Sequence, residues 1–145
     1  MIPIFQPVIS KKAHKNVLEC LKTSWISSQG NFIKKFEKAL LNYHKMKYCV
    51  VTSSCTTALH LSILALNLKK NDEVICPALS FIAPANMVLL SNLKLVLVDI
   101  NPRTLAIDED KIEEKITKRT KAIIVVHQFG HSANMDKILR LKKKY

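Results

Sequence analysis

The sequence has few glycines, few aromatic residues and no long apolar run. Its 145 residues include two glycines, Gly30 and Gly130, and aromatic side chains make up 6% of the chain. These scarcities exclude a collagen-like repeat, and the longest apolar stretch is far shorter than the ~20 residues of a membrane-spanning helix. The N-terminal pentapeptide Met1–Phe5 lacks the basic region and the apolar stretch of a signal peptide, so we expect a cytoplasmic protein without a membrane partner.

Cysteine is present, but not in a pattern that binds metal or forms a disulfide scaffold. The four residues, Cys20, Cys49, Cys55 and Cys76, form no CxxC pair, and no histidine–cysteine cluster accompanies them. Zinc sites need short paired spacings of this kind. The sequence therefore predicts reduced thiols in or near a core and no metal site.

Acidic residues are few: the sequence has 11 aspartates and glutamates but 23 lysines and arginines, which gives a formal net charge of +12. Such a charge is typical of nucleic-acid-binding proteins, and a basic nucleic-acid-binding domain is one alternative. However, twenty of the basic residues are scattered lysines, with no aromatic stacking motif or recognition helix among them. We favour a solvated basic face, or a surface that attracts phosphorylated metabolites, over direct nucleic-acid binding.

The composition, 48% apolar and 23% charged, is that of a globular protein. Apolar spacing predicts helices over residues 11–23, 56–66, 82–90, 108–116 and 132–144, and one more that follows Gly30. Short apolar runs predict strands over 48–51, 73–76, 95–98 and 122–126. Strands that alternate with helices and are apolar throughout indicate an α/β fold with a parallel sheet covered on both faces.

Two helices precede the first predicted strand, and each has one apolar face. In the first helix this face comprises Ala13, Val17, Leu18 and Leu21. In the second helix it comprises Phe32, Ile33, Phe36, Leu40 and Tyr43, which we expect to point inward.

Open α/β sheets bind ligands beyond the carboxyl ends of their strands. The predicted strand 48–51 is followed by a row of hydroxyl side chains, Thr52-Ser53-Ser54-Cys55-Thr56-Thr57. Free N–H groups at a helix start attract an anion, and nearby hydroxyls add donors, so a phosphate site is one interpretation. A plain helix N-cap is the other, and these residues alone leave both open.

Two more residues stand beyond predicted strands. Phe81 follows the strand 73–76, where it could cover a flat ligand or belong to the core. His127 follows the strand 122–126, where it could line a pocket or make an ordinary packing hydrogen bond. Neither residue decides the function alone.

Taken in order, the segments resemble a known family. The stretches that carry the likeness are Trp25–Gly30, Ser54–Leu61, Asn71–Pro77, Ser80–Asn86, Val98–Thr104, Ile116–Ile123 and Val126–His131. Together they resemble the vitamin B6-dependent nucleotide-sugar aminotransferases of the DegT/StrS group. The segment Trp25–Gly30 is most similar to the branch that makes 4-amino-4,6-dideoxy sugars, such as the perosamine synthases.

The resemblance implies a fold and a cofactor. The fold would be the N-terminal portion of the large domain of the aspartate aminotransferase-like, fold type I transferases that use pyridoxal phosphate. Residues 1–30 would form a leading helix and loop, and residues 31–145 a truncated cofactor-binding large domain without the C-terminal small domain.

The resemblance also implies roles for six residues. Ser54, Thr56 and Thr57 would belong to the turn that holds the phosphate of pyridoxal phosphate. Phe81 occupies the family's aromatic position, which stacks on the pyridine ring. Asn86 and His127 match positions close to the same site.

The sequence departs from the family pattern at several positions, and one departure changes the activity that we expect. Cys55 and Asn71 replace glycines; a positive φ would be costly for cysteine, whereas asparagine tolerates the left-handed region. None of the lysines matches the family's catalytic lysine, which forms a Schiff base with the cofactor. The chain should therefore be inactive alone.

The family reaction would transfer nitrogen from glutamate to a nucleotide-linked 4-keto-6-deoxy sugar, in a homodimer. Two further alternatives stay open. The chain could be a non-catalytic partner module of a full-length aminotransferase, or a decayed gene product that folds poorly.

Overall fold

A computed structural model describes residues 2–3 and 6–145, so part of the N-terminal pentapeptide assessed above lies outside the described residues. The chain divides into two compact units, one ending at Val51 and one spanning Thr52–Tyr145. The first contains α1 (Lys11–Lys22) and α2 (Asn31–His44). The second contains α3 (Cys55–Ala65), β1 (Glu73–Pro77), α4 (Ala83–Leu90), β2 (Lys94–Val98), α5 (Glu109–Lys115), β3 (Thr120–Ile123) and α6 (Met135–Lys144).

The two helices of the first unit form at the predicted places, but their apolar faces are not buried. Neither helix has a buried residue. In the second helix Phe36 is 55% and Tyr43 81% exposed, so the inward orientation predicted for these two side chains is wrong. The other three predicted side chains, Phe32, Ile33 and Leu40, are half-buried. An apolar helix face becomes buried only when a second layer covers it, and amphipathic spacing does not reveal whether that layer is present.

The predicted strand 48–51 is also wrong. Residues 48–51 have no regular secondary structure, and Tyr48 and Val50 are 79% and 70% exposed. The N–H of Val51 donates to the side-chain oxygen Glu37 Oε1 at 3.1 Å. In a strand, this N–H would instead donate to a backbone carbonyl of a neighbouring strand. A short apolar run becomes a strand only where another strand accepts its hydrogen bonds.

The sheet of the second unit is parallel, as predicted. Its order is β2-β1-β3, and β1 pairs in parallel with both neighbours. All five residues of the central strand are buried. This agrees with the apolar run Val74–Cys76 within β1, since a central parallel strand has no solvent-facing side.

Helices cover both faces of the sheet, and alternate residues of β1 point to opposite cores. Ile75 packs on one face with Ile107 and Ile112, which are fully buried. Val74 packs on the other face in a cluster that contains Ile63 of α3 and Val88 of α4. The predicted covering of both faces is therefore confirmed.

A buried carboxylate ties the amino ends of the three strands together. Glu73, at the start of β1, is 1% exposed. It accepts hydrogen bonds from Thr117 Oγ1, from Lys94 Nζ at 3.0 Å and from Arg119 Nη2 at 3.3 Å. The Thr117 hydrogen bond, followed by the Lys94 ammonium, lowers the Glu73 pKa from 4.5 to about 2. Thr120 Oγ1 at 3.3 Å completes the set, so each strand contributes to this cluster.

The turn before β1 explains one departure from the family pattern. Asn71 has a φ of 69°, in the left-handed region. Asparagine and glycine are the residues that adopt this conformation most readily. Asn71 therefore takes the backbone conformation expected for the glycine that it replaces.

Candidate functional site

The N-terminus of α3 lies toward the carboxyl edge of the sheet. Residues 66–72 connect the end of α3 to the start of β1, Ile63 of α3 shares a core cluster with Val74 of β1, and Leu66, just after α3, lines one groove with Thr120, the first residue of β3. The helix therefore runs back along the strand. Its 11 residues span about 16 Å, close to the roughly 17 Å of the five-residue strand. The hydroxyl-rich turn thus comes to the edge where open α/β sheets bind ligands.

Two predicted residues, Ser54 and Thr57, form a reciprocal cap on α3. The N–H of Thr57 donates to Ser54 Oγ at 3.2 Å, and the N–H of Ser54 donates to Thr57 Oγ1 at 3.1 Å. Thr57 Oγ1 also donates to the Ser54 carbonyl at 2.8 Å. This is a capping box in which threonine takes the place of the usual glutamate or glutamine. Both hydroxyls are thereby engaged within the chain.

Within the first turn of α3, Cys55 and Thr56 carry donors that this cap leaves free. Their backbone N–H groups make no hydrogen bond within residues 6–145, and neither does the half-buried hydroxyl of Thr56. The first turn of α3 contains no acidic residue, so no carboxylate repels an anion there. Cys55 has an ordinary negative φ, so its replacement of glycine brings no backbone strain. The turn is therefore both capped and able to hold an anion, the two interpretations that the sequence left open.

Phe81 and Asn86 lie at the junction between β1 and α4. Phe81 follows the carboxyl end of β1 and is 78% exposed, so it is not a core residue. Asn86 is exposed in the first turn of α4, the helix that packs beside α3. An aromatic ring exposed to this extent can cover a flat ligand without losing core packing.

His127 lies beyond β3, the other neighbour of β1. Its Nδ1 accepts a hydrogen bond from the N–H of Ala133 at 3.2 Å. This contact places the proton of the neutral ring on Nε2, which makes no hydrogen bond within the described residues. Nearby, Phe129 is 85% exposed and has a φ of 52°. Phe129 was not among the predicted site residues, and the adjoining Gly130 is the signal for a turn at this place.

The structure thus brings the predicted residues together to different degrees. Ser54 and Thr57 are in direct contact. Phe81 and His127 come after the carboxyl ends of the neighbouring strands β1 and β3, and Thr56 lies in the first turn of α3. Whether these residues bind a ligand remains a prediction.

One carboxylate at the same edge of the sheet already forms an ion pair with a lysine. Asp99, just after β2, pairs with Lys111 Nζ at 2.8 Å, and the hydrogen bond from Lys111 lowers the Asp99 pKa. Among the described residues, no cluster of histidine, cysteine or carboxylate side chains could hold a metal ion. No described helix has the length and apolarity needed to cross a bilayer. This edge of the sheet therefore has donors for an anion but no built site for a cation.

Comparisons with known proteins agree with the sequence resemblance. The sequence profile of the DegT/DnrJ/EryC1/StrS aminotransferase family matches residues 7–145. The chain is 41% identical over 142 residues to GDP-perosamine synthase from Escherichia coli O157:H7, covering 98% of this chain and 39% of that protein. It is 45% identical over 127 residues to the 3-oxo-glucose-6-phosphate:glutamate aminotransferase of Bacillus subtilis strain 168, covering 88% of this chain and 29% of that one.

The fold agrees as well. The putative sugar aminotransferase Spr1654 from Streptococcus pneumoniae, in its PMP form, superposes with a TM-score of 0.90 at 32% identity. That alignment covers 99% of this chain and 36% of the other. The predicted fold is confirmed, and the predicted cofactor agrees with what this solved structure carries. The chain spans less than two fifths of the length of these relatives.

Proposed function

The chain belongs to the DegT/DnrJ/EryC1/StrS aminotransferase family, and from this premise we propose that it provides the phosphate-binding half of a pyridoxal phosphate site. The observation that carries the proposal is the N-terminus of α3, where two N–H groups and one hydroxyl remain free beside a complete cap. We further propose that residues 31–145 correspond to the cofactor-binding large domain and residues 1–30 to a leading segment.

The residues present fit a phosphate. Partial positive charge at a helix N-terminus stabilises an anion, and the N–H groups of Cys55 and Thr56 are the donors that remain for it. The Thr56 hydroxyl would add a third donor. Ser54 and Thr57 would act indirectly, because their reciprocal hydrogen bonds fix the backbone that presents the free N–H groups.

The remaining contacts would orient the cofactor ring. Phe81 would stack on one face of the ring from the carboxyl end of β1. His127 and Asn86 would lie around it, with His127 Nε2 available as a donor. When bound, pyridoxal phosphate supplies an electron-withdrawing ring that stabilises negative charge on the substrate carbon.

The full reaction needs more than these residues. We propose that the family activity is transamination of nucleotide-linked 4-keto-6-deoxy sugars with glutamate as donor, in amino-sugar and surface-polysaccharide synthesis. It would take place in a cytoplasmic homodimer. The 145 residues offer no lysine that matches the family's covalent attachment motif, so this chain alone should bind the cofactor weakly and should not turn over.

Pyridoxamine phosphate is the appropriate probe for the test, because its amine cannot react with the twenty lysines as the aldehyde of pyridoxal phosphate would. Binding to the full chain is measured by isothermal titration calorimetry, alongside pyridoxamine, which lacks the phosphate. We expect pyridoxamine phosphate to bind at least tenfold more tightly than pyridoxamine. Equal affinity for the two would overturn the proposal.

A matched pair of variants tests whether pyridoxamine phosphate binds at the N-terminal turn of α3. Thr56→Val removes a hydroxyl that makes no hydrogen bond within the described residues and should weaken the binding of pyridoxamine phosphate. Thr52→Val is the control, since Thr52 Oγ1 donates to the Ser54 carbonyl at 2.8 Å and is not assigned to the ligand. In a coupled assay with glutamate and a nucleotide-linked keto sugar, the chain alone should show no turnover. Turnover would contradict the proposed inactivity.

A further inference from the structure

Phe129 lies in a turn whose backbone is strained. The turn, Gln128–Gly130, follows β3, and Phe129 has a φ of 52° and a ψ of 28°, in the left-handed region. Bulky residues adopt this region rarely, because the Cβ comes too close to the following carbonyl oxygen. Among the residues that the structure describes, Phe129 is the one aromatic residue with a positive φ. The chain therefore holds this ring in place at a cost in stability.

Hydrogen bonds fix the turn and attach it to the core. The N–H of Gly130 donates to the His127 carbonyl at 3.2 Å. The N–H of His131 donates to the Gln128 carbonyl at 2.9 Å. The N–H of Ala133, which is buried in the core of the second unit, donates to His127 Nδ1 at 3.2 Å. The left-handed conformation at position 129 is therefore imposed by the surrounding structure.

Packing does not explain why phenylalanine occupies this position. The ring is 85% exposed, and within the described residues it forms no aromatic pair and lies under no cation. Gly130, the next residue, has a φ of 79° and adopts the left-handed region without strain. A glycine at position 129 would do the same and would lose little packing. Strain that packing does not offset is typical of residues that contact a ligand.

The turn follows the strand that neighbours β1. Because β1 and β3 are parallel, Phe81 and His127 come after carboxyl ends at the same edge of the sheet. Phe129 is two residues beyond His127, whose Nε2 we assign to the cofactor. The sugar ring carries the carbon that reacts with the cofactor. A side chain beside the cofactor therefore meets the sugar before it meets the nucleotide.

A phenyl ring can recognise one part of such a sugar. A 4-keto-6-deoxy hexose has a methyl group at C6 and an apolar C–H face, whereas its other ring carbons bear oxygen. Phenylalanine has no polar side-chain atom, so it would pack on the methyl group and leave a 6-hydroxyl without a partner. Apolar contacts of this kind discriminate against an added hydroxyl by up to about a hundredfold.

We propose that Phe129 is a specificity-determining residue, which packs against the 6-methyl group of the sugar and disfavours sugars that carry a 6-hydroxyl. This proposal rests on the proposed function, because it places the sugar beside the cofactor at the carboxyl edge of the sheet. In this arrangement Phe81 faces the cofactor and Phe129 faces the sugar. The strained and exposed ring then has a function that glycine could not supply.

Saturation-transfer NMR on the full chain tests this contact without added cofactor. The probes are GDP-6-deoxymannose and GDP-mannose, which differ by the 6-hydroxyl. We expect the 6-methyl protons to receive the strongest saturation, and the 6-deoxy probe to bind about threefold more tightly or better. Absence of binding, or equal affinity for the two probes, would overturn the proposal.

A matched pair of variants assigns the contact to one ring. Phe129→Ala should lower the ratio of methyl to guanine saturation about fivefold, because the apolar surface is removed. Phe36→Ala is the control, since it removes a ring that is 55% exposed on α2 and is not assigned to the site. Equal ratios in the two variants would count against Phe129. Loss of guanine saturation alone in Phe129→Ala would identify the base as the contact and refute the proposal.

A third variant separates a ring that binds from a ring that stabilises the fold. Phe129→Gly removes the ring and the strain together, so it should raise the urea midpoint of unfolding by roughly 0.5 M while abolishing the methyl contact. Phe129→Ala keeps a Cβ in the left-handed region and should leave the midpoint nearly unchanged. A lower midpoint for Phe129→Gly would show that the ring supports the fold, and would overturn the proposal.

The outcome is distinguishable from that of the proposed function. Pyridoxamine phosphate contains no sugar and tests the N-terminal turn of α3. The two sugar nucleotides are added without cofactor and test the turn after β3. A negative result with the sugar nucleotides leaves the phosphate site standing, and a negative result with pyridoxamine phosphate leaves the Phe129 contact measurable.

Discussion

Substitutions in the α3 turn should separate the residue that caps the helix from the residue that holds the phosphate. Ser54→Ala removes the oxygen that accepts the N–H of Thr57 at 3.2 Å. Thr56→Val removes a hydroxyl that has no partner within the described residues and keeps the side chain's shape. The first should change stability, and the second should change ligand affinity.

The magnitudes follow from the contacts. Loss of a serine N-cap costs about 1 kcal/mol of unfolding free energy. That same substitution keeps the two hydrogen bonds between Thr57 Oγ1 and the Ser54 backbone, which still hold the turn, so the affinity for pyridoxamine phosphate should stay within about threefold. A hydrogen bond to a charged group contributes about 1.5 kcal/mol, so Thr56→Val should weaken binding roughly tenfold. The unfolding free energy should change by less than about 0.5 kcal/mol, because the Thr56 hydroxyl makes no hydrogen bond within the described residues.

Urea unfolding monitored by circular dichroism gives the stability changes, and calorimetric titration with pyridoxamine phosphate gives the affinities. The double variant should show both effects with little coupling, because the two side chains use different partners. The reasoning is refuted if Thr56→Val destabilises the chain as much as Ser54→Ala does, or if it leaves the affinity unchanged.

Three further predictions concern the second unit. Because the folded-state pKa of Glu73 is depressed to about 2, its contribution to stability should be complete above pH ~4.5 and lost as the pH falls toward 2. Acid unfolding of Glu73→Gln should show a smaller change over that window, and an identical acid profile would contradict the cluster. Asn71→Ala should lower the unfolding free energy by about 1 kcal/mol because of the φ of 69°, whereas Asn71→Gly should be nearly neutral; equal losses in urea unfolding would disprove this explanation. Burial raises the Cys76 pKa to about 11, so iodoacetamide should label Cys55 in the native chain and Cys76 only after unfolding, and native labelling of Cys76, detected by mass spectrometry, would argue against its burial.

The alternation of strands and helices from residue 52 onward could be predicted because local sequence determines it. β1 contains the apolar run Val74–Cys76 and ends at a proline, and Ser54 precedes a helical pattern. Most elements could therefore be located within one or two residues, whereas the predicted end of β3 and the predicted start of α6 were each three residues off. The strand predicted over 48–51 failed for the opposite reason. Its formation depends on a neighbouring strand, and apolarity alone does not reveal whether one is present.

The buried position of Glu73 could not be predicted because its partners are distant in sequence. Lys94 lies 21 residues away and Arg119 lies 46 residues away, and only the parallel pairing of the strands brings them to the same carboxylate. The free donors of the candidate site could not be predicted either. The hydroxyl row of α3 identified a helix start, but which hydroxyls are used by the cap and which donors stay free follows from the folded turn.

The most direct measurement of the central claim is nuclear magnetic resonance of the ¹⁵N-labelled chain titrated with pyridoxamine phosphate and, separately, with inorganic phosphate. If the N-terminus of α3 holds the phosphate, both ligands should shift the amide signals of Cys55 and Thr56 first and most strongly. Shifts confined to amides near the lysine-rich end of α6, with those two signals unmoved, would contradict it.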